Sequence, residues 1–354
     1  MQEIVDQLSR AIKEAAAHRR SLRIRGGGTK DFYGGIPQGS PLDVTGYRGI
    51  VAYEPTELVI TARAGTPLAE VEAALREKGQ MLAFEPPHFG AAATLGGCIA
   101  TGLSGPRRPY AGAARDFVLG VRLLDGKSDD LKFGGQVMKN VAGYDVSRLV
   151  TGSLGTLGVL LEVSLKVLPV PPFETTLHLQ RSEAEAIAQM NEWAGKPLPI
   201  SATAFRDGDL GVRLSGARVA VEAAARKIGG AVVDPAQATR FWTGIREQTD
   251  SYFSGTGTLW RLSVKSTTPP LALPGKQLIE WGGALRWLQS SADAKSMRDA
   301  AARAGGHATL FRGGDKSAGV FHPLAPALMK LHRNLKQAFD PAGILNPGRL
   351  YADQ

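Results

Sequence analysis

The chain carries a single cysteine, Cys98, among 354 residues. That excludes an internal disulfide, and it excludes an iron–sulfur cluster or zinc ribbon held by cysteine pairs of this chain alone. No uncharged apolar run approaches the roughly 20 residues of a membrane span. Residues 1–20 place Ile4, Val5, Leu8 and Ile12 at helical spacing with charges between them, an amphipathic helix rather than a signal peptide. A cytoplasmic protein is expected. Basic stripes interleaved with aromatics are also missing, so no nucleic-acid partner is expected. There is no G-x-G-x-x-G between a strand and a helix with an acidic residue ~20 positions on, which argues against a two-nucleotide Rossmann site. The nearest serine-centred glycine pattern, Gly152-Ser153-Leu154-Gly155, lacks the spacing of a hydrolase elbow.

What the chain has in quantity is glycine, 43 residues, and a formal net charge of +9. The charge implies anionic partners: a phosphate cofactor, a carboxylate substrate, an acidic protein or a lipid headgroup. Glycine gives up more backbone freedom on folding than any other residue, so dense glycine marks backbone that must come close to something. It concentrates in residues 25–35 (RGGGTKDFYGG), in residues 93–121 (ATLGGCIATGLSGPRRPYAGAARDFVLGV) and in residues 137–161 (VMKNVAGYDVSRLVTGSLGTLGVLL). Amides of such turns converge into anion-binding concavities, and Thr94, Thr101 and Ser104 add hydroxyl donors, so the first two stretches read as a dinucleotide cradle.

Alternating and helical periodicities place these stretches in an α+β fold. Strands are expected over 22–25, 42–44, 50–53, 58–64, 117–124, 130–133 and 159–167. A helix runs through 68–78, with Thr66 able to cap it and Pro67 in its first turn. Pro169, Pro171 and Pro172 mark a boundary. Beyond it come strands over 175–179, 201–205, 210–214, 260–264, 278–281, 284–288 and 307–311, and helices over 183–193, 217–228, 292–304 and 325–339. The second part reads as an antiparallel sheet with helices on one face, built from two half-repeats.

With these stretches and the C-terminal run FDPAGILNPGRL (339–350) in order, the sequence resembles the FAD-binding flavoproteins of vanillyl-alcohol-oxidase (PCMH) type. Within that family it is similar to the FAD-binding E subunits of bacterial glycolate oxidases. The resemblance spans nearly the whole chain. It implies a two-subdomain FAD-binding domain over 1–170, an antiparallel-sheet cap over 171–323, and a helix and tail over 324–354 that return to the FAD domain.

It also implies roles for residues. Arg25, Gly26, Gly27, Gly28, Thr29 and Lys30 would wrap the FAD pyrophosphate. Thr94, Leu95, Gly96, Gly97, Ala100, Thr101, Gly102, Ser104 and Gly105 would cover its other side and reach toward the ribityl chain. Gly155, Thr156, Gly158 and Val159 match the segment that meets adenine and flavin, and Asn346 matches an asparagine returning to the flavin side. The first loop has no histidine for a covalent flavin link, so non-covalent FAD is expected, with Cys98 a small buried residue. Tyr144 and Asp145, following Lys139 and Asn140, order the flavin region or simply cap a helix at Asp145.

The implied activity is oxidation of glycolate to glyoxylate, with partners in a homologous catalytic flavoprotein subunit and an iron–sulfur subunit, and attachment to the inner membrane only through them. The family's histidine-rich, metal-holding cluster is reduced here to Asp315 and His322, a poor metal site, so no metal is expected. His307 and His332 read as strand and helix-surface residues. The catalytic residues are not defined by this reading; Arg107, Arg312 and His322 are candidates for gripping a substrate. A self-sufficient oxidase of another small 2-hydroxy acid and a non-catalytic scaffold are the alternatives.

Overall fold

Strand Val159–Lys166 is the centre of a five-stranded antiparallel sheet. Every second residue of it, Val159, Leu161, Val163 and Leu165, is fully buried, as the period-two spacing of a half-covered strand requires. It is flanked by Val59–Arg63 and Ile50–Glu54 on one side and by Val118–Leu124 and Asp130–Gly134 on the other. The structure is a computed structural model that describes residues 1–135, 145–255 and 257–352. Lys139, Asn140 and Tyr144 lie outside the described residues. Asp145 is inside them, and its carboxylate accepts from the Arg148 amide at 3.1 Å to cap helix Val146–Val150.

The N-terminal helix Gln2–Ala17 buries Val5, Leu8 and Ile12 against a small parallel pair, Leu22–Arg25 with Ser40–Asp43. Residues 344–346 join that pair through a parallel bridge from Leu345 to Leu22, so the end of the described chain completes a sheet begun near its start. Helix Leu68–Glu77 forms as expected, but Thr66 does not cap it. Pro67 holds the cap position without a side-chain bond, and the Thr66 hydroxyl instead accepts from the Gly49 amide at 2.8 Å. The second glycine stretch is less loop than its composition suggests. It folds into the helices Leu95–Thr101, Arg108–Ala111 and Ala114–Phe117 before strand Val118–Leu124.

The second lobe is an eight-stranded antiparallel sheet. Its first half, Phe173–Gln180, Ile200–Arg206, Asp209–Gly216 and Ala231–Val232, places the chain-order strands as fourth, first, third, second. Its other half, Leu259–Ser263, Lys276–Glu280, Leu285–Gln289 and His307–Arg312, has the same order in mirror sense, and the two second strands pair at Ala204 and Glu280. Helices Glu183–Ala194, Arg218–Ile228 and Ala294–Arg303 cover one face. The expectation of helices on that face alone needs correction. Helix Pro235–Glu247, not anticipated from the sequence, packs Trp242 and Ile245 on Ala202 and Ala204 of the opposite face, where the Trp242 indole donates to Thr176.

That opposite face turns toward the first lobe. Tyr33, Leu103 and Leu154 of the first lobe share a buried cluster with Trp281, Trp287 and Phe311 of the sheet. Charges are matched across the same boundary. Arg107 donates to Glu85 at 3.4 Å and to Glu174 at 2.8 Å, and Arg213 reaches Glu85 at 2.8 Å.

Candidate functional site

The first glycine stretch follows strand Leu22–Arg25 directly, and the other two are folded against it. A Cβ on Gly27 would lie 1.5 Å from the Ala92 carbonyl oxygen, and one on Gly26 would lie 2.4 Å from the Thr94 hydroxyl. Glycine at these positions therefore lets two chain segments touch, as well as leaving their amides bare. Thr94 caps helix Leu95–Thr101 by accepting from the Gly97 amide at 3.2 Å. The third stretch is clasped by Asn346. Its side-chain oxygen accepts from the Ile24 amide at 2.7 Å and its amide donates to the Leu154 carbonyl at 2.6 Å. Gly155, at φ +73°, would place any Cβ 2.7 Å from that amide nitrogen.

The three stretches enclose a cavity of about 940 Å³, its open mouth included. Of the residues singled out in the sequence, Arg25, Gly26, Gly27, Gly28, Thr29, Lys30, Thr94, Gly96, Gly97, Ala100, Thr101, Gly155, Gly158 and Asn346 line it. Leu95 and Val159 point into the core instead. Gly102, Ser104 and Thr156 line a second cleft, and Gly105 packs beneath the Glu85 carbonyl oxygen. Cavity residues that the sequence did not single out as cofactor contacts include Arg23 of the first strand, Ser153 and Leu154 of the third glycine stretch, and Arg349 of the C-terminal return. Arg349 donates to the Asp31 carbonyl at 3.2 Å and to the Tyr33 carbonyl at 2.5 Å, and it also bonds the Gly35 carbonyl.

The donors in this cavity suit a diphosphate. Arg23 lines it with a buried Nε that has no hydrogen-bond partner, and a buried donor in that state is costly unless a ligand satisfies it. Lys30 is a buried residue of the same lining, its ammonium donating to the His88 carbonyl at 3.1 Å with no carboxylate at ion-pair distance among the described residues. Burial pulls the Lys30 pKa down, opposed by the Glu247 charge. Cys98 is in the core rather than on the cavity wall, and burial pushes its thiol up to about 12, so it is a protonated packing group.

A second cleft, which runs between the lobes, adjoins the cavity at Thr101 and Ser153, which line both. Arg108, Arg115, Arg261, Trp281, His307 and His332 are on its walls. His307 and His332, read from the sequence as strand and helix-surface residues, thus both face the cleft. The three substrate-gripping candidates do not. Arg107 is committed to Glu85 and Glu174. Arg312 lies over the Phe32 ring at 4.5 Å in a shallow depression on the outside. His322 accepts from the Ala308 amide at 3.4 Å. Among the described residues, no group of three or more His, Cys, Asp or Glu could hold a metal.

Comparison with known proteins agrees with this geometry. A family model described as an FAD binding domain matches residues 3–134, and one described as the C-terminal domain of FAD linked oxidases matches residues 312–350. The glycolate oxidase subunit GlcE of Escherichia coli K12 is 51% identical over 352 residues, 99% of this chain and 97% of that protein. The chain belongs to the GlcE family. A second relative, the glycolate oxidase subunit GlcD of Bacillus subtilis, is 31% identical over 186 residues, which are 52% of this chain and 39% of that longer protein. In fold, this GlcE-family chain matches p-cresol methylhydroxylase with a TM-score of 0.74 at 17% identity, covering 99% of this chain and 87% of that one. It matches alkyldihydroxyacetonephosphate synthase with a TM-score of 0.68 at 15% identity, covering 97% and 74%. The protein is an FAD-dependent oxidoreductase chain of the PCMH-type fold, and no described helix is long and apolar enough to cross a membrane.

Proposed function

We propose that this chain is the FAD-binding subunit of a glycolate oxidase complex that converts glycolate to glyoxylate and passes the electrons to an iron–sulfur subunit. The observation that carries the reading is the concavity formed where the glycine cradle meets the interlobe cleft, the two having Thr101 and Ser153 as common lining residues. It accommodates an extended dinucleotide with its diphosphate at one end and its ring system between the lobes. In this reading residues 1–170 form the cradle, 171–323 the cap, and 324–354 the return that closes both. The chemistry supplied by bound FAD is acceptance of a hydride equivalent and its release as single electrons.

The chain's own residues hold and enclose it. Backbone amides of residues 26–28 and 96–97, with Arg23, Arg25 and Lys30, meet the diphosphate. Asn346 fixes the spacing of the first and third stretches. Trp281 and Tyr33 shield the cleft from water. No histidine stands in the first loop and Cys98 is off the cavity wall, so the flavin is held non-covalently and acid precipitation should release it into the supernatant.

Among the described residues, the cleft has no metal-and-histidine cluster, which supports placing glycolate oxidation mainly on a longer, homologous flavoprotein subunit. Purified alone, the chain should be yellow and reduce dye with glycolate negligibly. Co-expressed with the catalytic flavoprotein and iron–sulfur subunits, it should be required for glycolate-dependent dye reduction. Vigorous turnover by the lone chain would overturn the relay. That outcome would favour a second reading, in which the unpaired arginines of this chain's own cleft present a small hydroxy acid to its flavin.

A further inference from the structure

Arginines at the lobe boundary are treated in two ways. Arg107 and Arg213 are neutralised by Glu85 and Glu174 at ion-pair distance. Arg108 and Arg261 are not. Their guanidinium carbons lie 4.4 and 5.1 Å from the centroid of one ring, the indole of Trp281, and neither has a carboxylate within 4.0 Å among the described residues. Burial weakens both guanidinium groups, and at Arg108 the neighbouring Arg261 and Arg115 charges weaken it further.

The nearest acids are engaged elsewhere. Asp116 accepts from the Ala113 amide at 2.8 Å, and Glu280 accepts from the Trp287 indole at 2.6 Å. Among the described residues, the cleft adds Arg115 and no aspartate or glutamate. Its one lysine, Lys336, is paired with Asp340 at 2.7 Å. Three guanidinium groups thus line one cleft with no carboxylate at ion-pair distance among the described residues, Asp116 and Glu280 acting only from farther off. Together they are more than a single carboxylate can balance.

We propose that the interlobe cleft binds a small dicarboxylate, one carboxylate on each of Arg108 and Arg261 with its carbon spacer against Trp281, and Arg115 as the third positive charge of the wall. The planar guanidinium fork matches carboxylate geometry, and an indole face suits a short hydrocarbon better than it suits a hydrated inorganic ion. The inference rests on the functional reading only in placing this cleft beside the flavin. Inorganic phosphate shares the anionic chemistry and is the competing source.

The test is titration of the full FAD-loaded chain with malonate, succinate, acetate, glycolate and inorganic phosphate, followed by calorimetry and by perturbation of the flavin spectrum. Malonate or succinate should bind at least about tenfold more tightly than acetate, glycolate or phosphate. Arg108→Gln and Arg261→Gln should each remove most of that preference while changing acetate binding only a few-fold. Arg108→Lys and Arg261→Lys, which keep the charge and lose the fork, should fall between, and Arg312→Gln should change nothing. Equal affinity for mono- and dicarboxylates, phosphate binding as tightly as malonate, or an unchanged preference in both Gln variants overturns the proposal. Calorimetry on the flavin-free chain separates the two readings. Dicarboxylate preference without FAD uptake would sink the flavin assignment alone, and FAD uptake without that preference would sink this one alone.

Discussion

Two buried carboxylic acids show how neighbours decide the charge of a residue. Burial pushes Glu85 up, but Arg213 and Arg107 together outweigh it, and its carboxyl is held below the ordinary range. Glu280 is as deeply buried, its partner is a neutral indole, and burial drives its pKa up to about 7. The signs for stability are therefore opposite. Folded Glu280 keeps its proton to about pH 7, whereas in the unfolded chain it ionises near the ordinary value, so this residue's contribution declines as pH rises between the two. Glu280→Gln, which still accepts from Trp287, should be more stable than the parent by on the order of 2 to 3 kcal/mol at pH 8 and nearly equal to it at pH 4. Thermal unfolding of both proteins at the two pH values checks this, and an advantage that does not grow with pH would refute the assignment.

At the scale of elements, helix Pro326–Phe339 is held by a buried charged group as well as by Leu335 and Phe339, which pack against the first core. Lys336 is its most deeply buried residue. The ammonium donates to the Thr156 carbonyl at 2.9 Å, the Leu345 carbonyl at 2.7 Å and the Asp340 carboxylate at 2.7 Å. Asp340 in turn accepts from the Leu345 amide at 2.7 Å, so one ion pair joins the helix, the third glycine stretch and the C-terminal return. Removing one partner of a buried pair leaves the other charge uncompensated. Lys336→Met should lower stability by about 3 to 5 kcal/mol and weaken FAD retention. The unfolding midpoint in urea and the ratio of flavin to protein absorbance measure the two effects.

Over the whole molecule, the cradle works only if the cap stays seated, because the cleft that adjoins it has one wall from each lobe. The alternation of Arg107, Glu85, Arg213 and Glu174 across the boundary holds it, aided by the Trp281 indole donating to the Gly105 carbonyl at 3.1 Å. Since Glu85 is depressed, its stabilisation is fully present above about pH 4.5 and is lost as pH falls through its lower folded value. Acidification should therefore loosen the lobes before either core melts. Glu85→Gln should show protease cutting near the 169–172 boundary already at pH 7, and its stability should respond less to acid than the parent's. Identical acid profiles for the two proteins would remove Glu85 from this role.

The sequence by itself determined many of the strands and helices, because alternation in residues 159–166 and the 3.6-residue spacing in residues 4–12 are local patterns that any fold must bury. It also determined where the backbone would be bare, since glycine is a local fact. Residues reached from afar were not legible. Nothing near Asn346 says that it joins Ile24 to Leu154, and nothing near Arg261 says that it will share an indole with Arg108. The bulk of the second glycine stretch became helix because Thr94 supplied a cap and strand neighbours supplied a floor. Helix Pro235–Glu247 was unreadable because the face it covers belongs to strands from another segment. Tertiary structure alone decided which arginines were neutralised and which were left facing a cavity, because a charge's worth depends on what lies within a few ångströms of it, and that is set by chain segments hundreds of residues apart.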